Sequence, residues 1–169
     1  MIQDHQIRQF KKEDLPFVHR LVENTIDICY HPVYPVEAIE FFKYYHAEER
    51  ISSDAANGYT VVAEHNGEIV GTGTLWGTNI RRVFVNPHLQ HGGIGKLIVR
   101  ELERKALLNN AAILDLSASL VSKQFWETLG FVVQKEDYVP VQNGQKLHFY
   151  RMAKTLSRVS RIATLVTEG

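Results

Sequence analysis

The chain has 169 residues, 44% apolar and 22% charged, proportions that exclude a disordered or fibrous chain and fit one domain with a substantial core. Nineteen basic side chains balance nineteen acidic ones, so no basic excess points to nucleic acid as the partner. A single cysteine (Cys29) excludes an intrachain disulfide, no run approaches the roughly 20 apolar residues of a membrane span, and the polar start around Asp4 does not read as a signal peptide, so a cytoplasmic protein is expected.

In chain order, the first strand signal falls at about residues 5–10. A helix is predicted over about 13–28, with Leu15, Val18, Val22 and Ile26 on one face and Pro16 tolerated in the first turn. Pro32 and Pro35 then break the chain before a second helix over about 36–46. Strands follow at about 59–64, 68–76 and 80–85. The His65-Asn66-Gly67 tip makes the first two of these a hairpin, since Asn-Gly accepts two positive φ angles. A third helix spans about 93–108, its core stripe being Ile94, Ile98, Leu102 and Ala106. A buried strand at 112–116 leads into a helix over about 120–129, and strands near 131–139 and 146–152 enclose the turn Gln142-Asn143-Gly144-Gln145. The order β-α-α-β-β-β-α-β-α-β-β describes an α/β (α+β) domain, a mixed sheet of about seven strands with helices on both faces. That domain is taken as residues 1–154. Residues 155–169 form a C-terminal extension whose pattern (Val159, Ile162, Leu165, Val166) suits a short docked helix or strand, or equally a tail.

The most informative stretch is the connection between residues 83 and 98. Val83, Phe84 and Val85 end a strand at Asn86-Pro87, a glycine-rich turn follows, and a helix begins at Ile94. Strand, turn and helix N-terminus in that order aim free amides and the positive end of the helix dipole at one spot, which suits a phosphate. Gly92 and Gly93 permit positive φ and close approach of a ligand. Gly95 falls in the first helical turn, where a side chain would crowd the ligand or the neighbouring strand, and Lys96 adds a cation. A Walker loop does not fit, because Gln90 stands where its first glycine belongs and Leu97 follows Lys96; the dinucleotide fingerprint fails at Ile98.

The pattern that fits is Gln-x-x-Gly-x-Gly at Gln90, Gly93 and Gly95. Here the chain resembles the GNAT superfamily, the Gcn5-related N-acetyltransferases, whose acetyl-coenzyme A loop reads Arg/Gln-x-x-Gly-x-Gly/Ala after a strand ending Val-x-Pro. A second stretch, Phe125-Trp126-Glu127-Thr128-Leu129-Gly130-Phe131, is similar to the family's Phe-Tyr-Glu-x-Leu-Gly-Phe, with Gly130 suited to the left-handed helix cap. The resemblance covers about residues 4–154. It implies a mostly antiparallel, twisted GNAT-like sheet and an acyltransferase that uses acetyl-CoA as cosubstrate and no metal.

It also implies where that cosubstrate lies. The pantetheine arm would pair with the strand edge at Val83, Phe84 and Val85, and the pyrophosphate would meet the turn formed by Gln90, His91, Gly92, Gly93, Ile94, Gly95 and Lys96. Ser119 matches a polar position that touches the pantetheine arm in the family, with capping of the next helix as an equal alternative, and Phe125 would pack near the thiol end. The backbone amide of Val83 matches the oxyanion donor. Two positions depart from the family: Trp126 replaces the tyrosine proposed as acid, and Asn79 stands where the histone-acetylating branch carries a glutamate base. An indole donates a hydrogen bond but no proton at neutral pH. This leaves Asn79, through an ordered water, and Tyr138 as catalytic candidates, with His148 and Tyr150 sharing one face of the last strand.

Tyr30, His31 and Tyr34, in the link after the first helix, are candidates to touch the acceptor, against packing of a helix connection. Cys29 reads as a small buried hydrophobe, and the pair His88 and His91 lacks a third ligand, so no metal site is expected. The expected reaction is direct transfer of an acetyl group to a primary amine of a small molecule or peptide, with neither nucleic acid nor membrane as partner. The alternative is a non-catalytic acyl-CoA sensor, and a homodimer is left open.

Overall fold

Alternation along residues 59–85 decides that the sheet is covered on both sides. A computed structural model describes residues 5–156 of the chain. Strands β2 (Tyr59–His65), β3 (Glu68–Trp76) and β4 (Asn79–Val85) follow β1 (Gln6–Gln9) as an antiparallel meander. On β2, Val61 and Ala63 enter one apolar cluster and Val62 the other, all fully buried. The β2–β3 hairpin turns at Asn66 and Gly67 with φ of 52° and 78°, as the Asn-Gly pair predicts. Strands β5 (Ile113–Ser119), β6 (Val132–Pro140) and β7 (Lys146–Thr155) complete a seven-stranded sheet in the order β1-β2-β3-β4-β5-β7-β6. Every neighbouring pair is antiparallel except β4 and β5.

Helices α1 (Leu15–Cys29), α2 (Val36–Tyr45) and α3 (Glu48–Asn57) cover one face, centred on Val18, Val22, Ile26, Ile39, Ile51 and Phe84. Helices α4 (Ile94–Leu108) and α5 (Lys123–Thr128) cover the other, and the stripe Ile94, Ile98, Leu102 and Ala106 is buried as its spacing predicts. Helix α4 lies close on β3 because β3 carries Gly71 and Gly73 there: a Cβ would stand 2.8 Å and 2.5 Å from atoms of Ile98.

Two expectations are corrected. Helix α3 is additional to the predicted order, since Ile51 is its one buried residue and no apolar stripe announces it. The helix expected over 120–129 shortens to α5, because Ser119 and Ser122 tie the residues before it into a turn. At the other end, Gly130 takes φ of 89° as the cap position requires. Strand β7 continues through Thr155, and buried Leu156 donates its amide to Ala112 at 2.8 Å. The pattern from Val159 onward lies outside the described residues. Among those described, no helix is long and apolar enough to cross a membrane.

Candidate active site

The two strands at the sheet's centre part company almost at once. Strands β4 and β5 pair only at Asn79 with Asp115 and Ile80 with Leu116. Beyond these, residues 81–85 of β4 have no strand on that side, which leaves a row of peptide groups able to receive an extended, amide-bearing ligand. The wedge is a groove of about 270 Å³ whose walls include Val83, Phe84, Leu116, Ser119 and Trp126.

A bulge shapes its edge. Thr72 faces Phe84 and Thr74 faces Arg81, so β4 spends three residues where β3 spends two. The extra residue is absorbed at Arg82, which takes φ of 55°, rare for a side chain of this size. The bulge breaks the ladder beside Val83 and turns the Arg82 side chain inward, where it is 2% exposed.

Past the strand lies the glycine turn. His91 and Gly93 adopt left-handed φ of 66° and 91°. Leu97 donates to Gly93 at 3.1 Å, so the amides ahead of it, at Ile94, Gly95 and Lys96, open the helix without intrahelical acceptors. A Cβ at Gly93 would meet nothing within 4 Å, so the turn there is open to a ligand. Gly95 has a different reason: a Cβ would press on the Phe125 ring at 3.1 Å, so this glycine seats α4 against α5. The Gln90 side chain folds back along the surface of the turn, its Nε2 donating to the Val85 carbonyl at 3.1 Å and approaching Cys29 Sγ at 3.8 Å. Gln90 thereby shapes the turn. Free amides, the helix dipole and an unfilled space above Gly93 together fit a diphosphate.

On the other side of Val83 the groove ends in a charged cluster that sequence reading missed. Arg82 Nε donates to His46 Nδ1 at 3.0 Å, and Arg82 Nη1 donates to Asp54 Oδ2 at 3.0 Å. Arg81 Nη1 reaches Asp54 Oδ1 at 3.2 Å, while its guanidinium stacks 4.4 Å over Trp76. Because a guanidinium keeps its protons, Nδ1 of His46 must accept, and its ring proton sits on Nε2. Burial first, and Arg82 second, hold the His46 pKa well below 6.5. His46 is therefore a neutral donor here.

The remaining expected site residues divide. Val83, Ser119 and Tyr30 come together on the groove. Burial raises the Tyr30 phenol to about 12, and its hydroxyl stands beside Ser119. Ser119 Oγ donates to Ser122 Oγ at 3.0 Å and accepts from the Ser122 amide at 3.2 Å, closing the turn ahead of α5. Asn79 lines the groove, but both ends of its amide are committed: Nδ2 donates to Asp115 at 2.6 Å and Oδ1 accepts from Arg81 Nε at 2.8 Å. Tyr34 is buried and works as a staple, donating to the His148 carbonyl at 2.7 Å and accepting from the Leu120 amide at 2.8 Å. His31 is on the surface beside Asp27 at 3.5 Å. Tyr138 is half-exposed on β6, against His148 and beneath Lys146, and does not line the groove. Phe125 lies edge-on to Trp126, which is buried in the core.

A family model described as the acetyltransferase (GNAT) domain matches residues 30–156, and the chain belongs to this family. A Gcn5-related N-acetyltransferase structure from Rhodopseudomonas palustris superposes with a TM-score of 0.83 at 24% identity, covering 92% of this chain and 99% of that one. The PaiA N-acetyltransferase of Thermoplasma acidophilum, solved in complex with coenzyme A, gives 0.72 at 17% identity, with 90% and 99% covered. The ribosomal-protein-S18-alanine N-acetyltransferase of Escherichia coli gives 0.68 at 17%, with 91% and 95% covered. At these identities the likeness establishes the fold. No curated protein matches the sequence.

Proposed function

We propose that this protein transfers an acetyl group from acetyl-CoA to a primary amine by direct attack within a ternary complex. The observation that carries the reading is the bare edge of β4 over residues 81–85, running from the bulge at Arg82 to the open amides of the turn at His91 to Lys96. One structural neighbour, that from Thermoplasma acidophilum, was solved with coenzyme A, which supports the same occupant here. When bound, acetyl-CoA supplies an activated thioester carbonyl. The neutral amine nitrogen bonds to the acetyl carbon, the carbon–sulfur bond breaks, and the one proton that the nitrogen sheds ends on the departing thiolate as free thiol.

The chain's own groups serve this transfer mainly by position. The Val83 amide, freed from regular pairing by the bulge, is the candidate donor to the oxyanion. The Tyr30 hydroxyl, kept protonated by burial, offers a hydrogen bond at the Ser119 side of the groove. Among the described residues that line the groove there is no Asp or Glu, so no carboxylate base stands in it and the amine must arrive neutral or lose its proton to water.

Gly93→Glu tests the reading. The side chain has room but would hold a left-handed φ at a cost of about 1–2 kcal/mol and set a negative charge where the diphosphate belongs. Calorimetry should find coenzyme A affinity reduced at least about 100-fold, while circular dichroism stays native. Undiminished affinity would remove the assignment. Thiol release on adding amines separates the enzyme from a sensor, which would bind coenzyme A and release none.

A further inference from the structure

The groove's acceptor end holds an unbalanced positive charge. Two guanidinium groups, Arg81 and Arg82, share one carboxylate, Asp54, and His46 beside them is neutral. The Arg82 side chain is 2% exposed, so its hydration is almost entirely gone. Its Nε and Nη1 are engaged, yet Nη2 makes no hydrogen bond among the described residues, and neither does Nε2–H of His46. Neither nitrogen is fully sealed, and both residues line the groove. A buried cation with donors left over is costly unless a ligand anion completes it.

That anion is distinct from the diphosphate. The turn that suits the diphosphate follows Val85, whereas Arg81 and Arg82 precede Val83, at the end where the strands first part. Around them the walls are flat and apolar: Tyr30, Phe42, Tyr45, Phe84 and Phe149. The absence of any lining Asp or Glu, among the described residues, also disfavours a polyamine, whose second ammonium would find no partner.

We propose that the acceptor is an amino acid with a free carboxylate and an aromatic or large aliphatic side chain, its carboxylate taken by Arg82 Nη2 and His46 Nε2–H and its side chain by the aromatic wall. This rests on the acetyl-transfer reading and narrows it. The forked guanidinium matches a carboxylate, and the neutral imidazole adds a donor without needing a charge of its own.

Matched amines decide it: phenylalanine against phenylalaninamide and phenethylamine, leucine against leucinamide, with spermidine as the polycation. Each is titrated calorimetrically into the protein loaded with coenzyme A and assayed by thiol release from acetyl-CoA. The acids should be favoured over their uncharged-end partners by about 100-fold in affinity and in kcat/KM. In Arg82→Lys that preference should shrink at least about tenfold through KM, with coenzyme A affinity within about twofold of the parent. Equal binding of acids and amides, or preference for spermidine, overturns the proposal. So does an Arg82→Lys loss shared equally by all amines, which would make Arg82 a support for the strand or the oxyanion. The parent pairs decide the matter even where the variant does not fold. Failure to bind coenzyme A at all would instead sink the acetyl-transfer reading, a result the calorimetry records separately.

Discussion

His46 shows how one buried side chain joins stability to the site. It is 7% exposed, edge-on to the Phe84 and Tyr45 rings, and bonded through Nδ1 to Arg82. Its pKa in the folded chain lies well below 6.5, so above that pH folded and unfolded chains both hold it neutral and its contribution is complete. As pH falls below about 6.5 the unfolded chain takes up a proton that the folded one refuses, and stability declines by up to about 1.4 kcal/mol per pH unit until the folded pKa is reached. Urea titrations at pH 7.5 and 5.5 should therefore show a loss of about 1 kcal/mol that His46→Gln, which keeps an acceptor for Arg82, does not share. Identical pH slopes for parent and variant would mean that the imidazole charges freely in the folded state.

Among the elements, the contact of α4 with β3 sets where the glycine turn meets the helix. Gly71 and Gly73 let Ile98 touch the strand's backbone: a Cβ on Gly71 would meet Ile98 Cδ1 at 2.8 Å, one on Gly73 would meet Ile98 Cγ2 at 2.5 Å. Gly71→Ala should cost about 1–3 kcal/mol by overpacking. Ile98→Val alone should cost about 0.5–1.5 kcal/mol, but it removes the Cδ1 that the new methyl strikes. The double variant should thus be more stable than the summed losses, with a coupling of at least about 0.5 kcal/mol in urea titration; strict additivity would show that the helix simply shifts away. The same elements explain what was legible beforehand. Helix α4 and its turn are local, written in a stripe of apolar residues at helical spacing and in the glycines, of which Gly93 takes the left-handed φ while His91, rather than Gly92, takes the other. Helix α3 lacks that signal, with Ile51 alone buried. Because α3 carries Asp54, the Arg82–His46–Asp54 cluster was hidden with it: its members lie 28 and 36 residues apart along the chain and meet only through the bulge. Tyr34 stayed open between two roles for a related reason, since aromatic residues in a helix link signal either a ligand or packing, and its bonds to His148 and Leu120 are those of packing.

At the scale of the molecule, the sheet is two blocks hinged on a short seam. Strands β1 to β4 form one and β5 to β7 the other, and the register between them is confined to Asn79–Asp115 and Ile80–Leu116, with Asn79 Nδ2 and the Asp115 amide reinforcing it. Apolar packing across the wedge of Tyr30, which caps α1, with Phe84 of β4 and Leu147 of β7 holds the rest. A ligand that pairs with the β4 edge and reaches the β5 side would add the hydrogen bonds the wedge lacks, and would bind the folded chain alone. Coenzyme A at about 100 times its dissociation constant should then add about 2.7 kcal/mol. For a chain of this size that raises Tm by about 5–10 °C. Amide hydrogen exchange should slow over residues 81–85 and the turn at 90–96, with little change in β1 or in the β6 edge. A Tm that rises while exchange at residues 81–85 stays unchanged would place the ligand elsewhere, because a site on the open strand edge must protect the amides that form it.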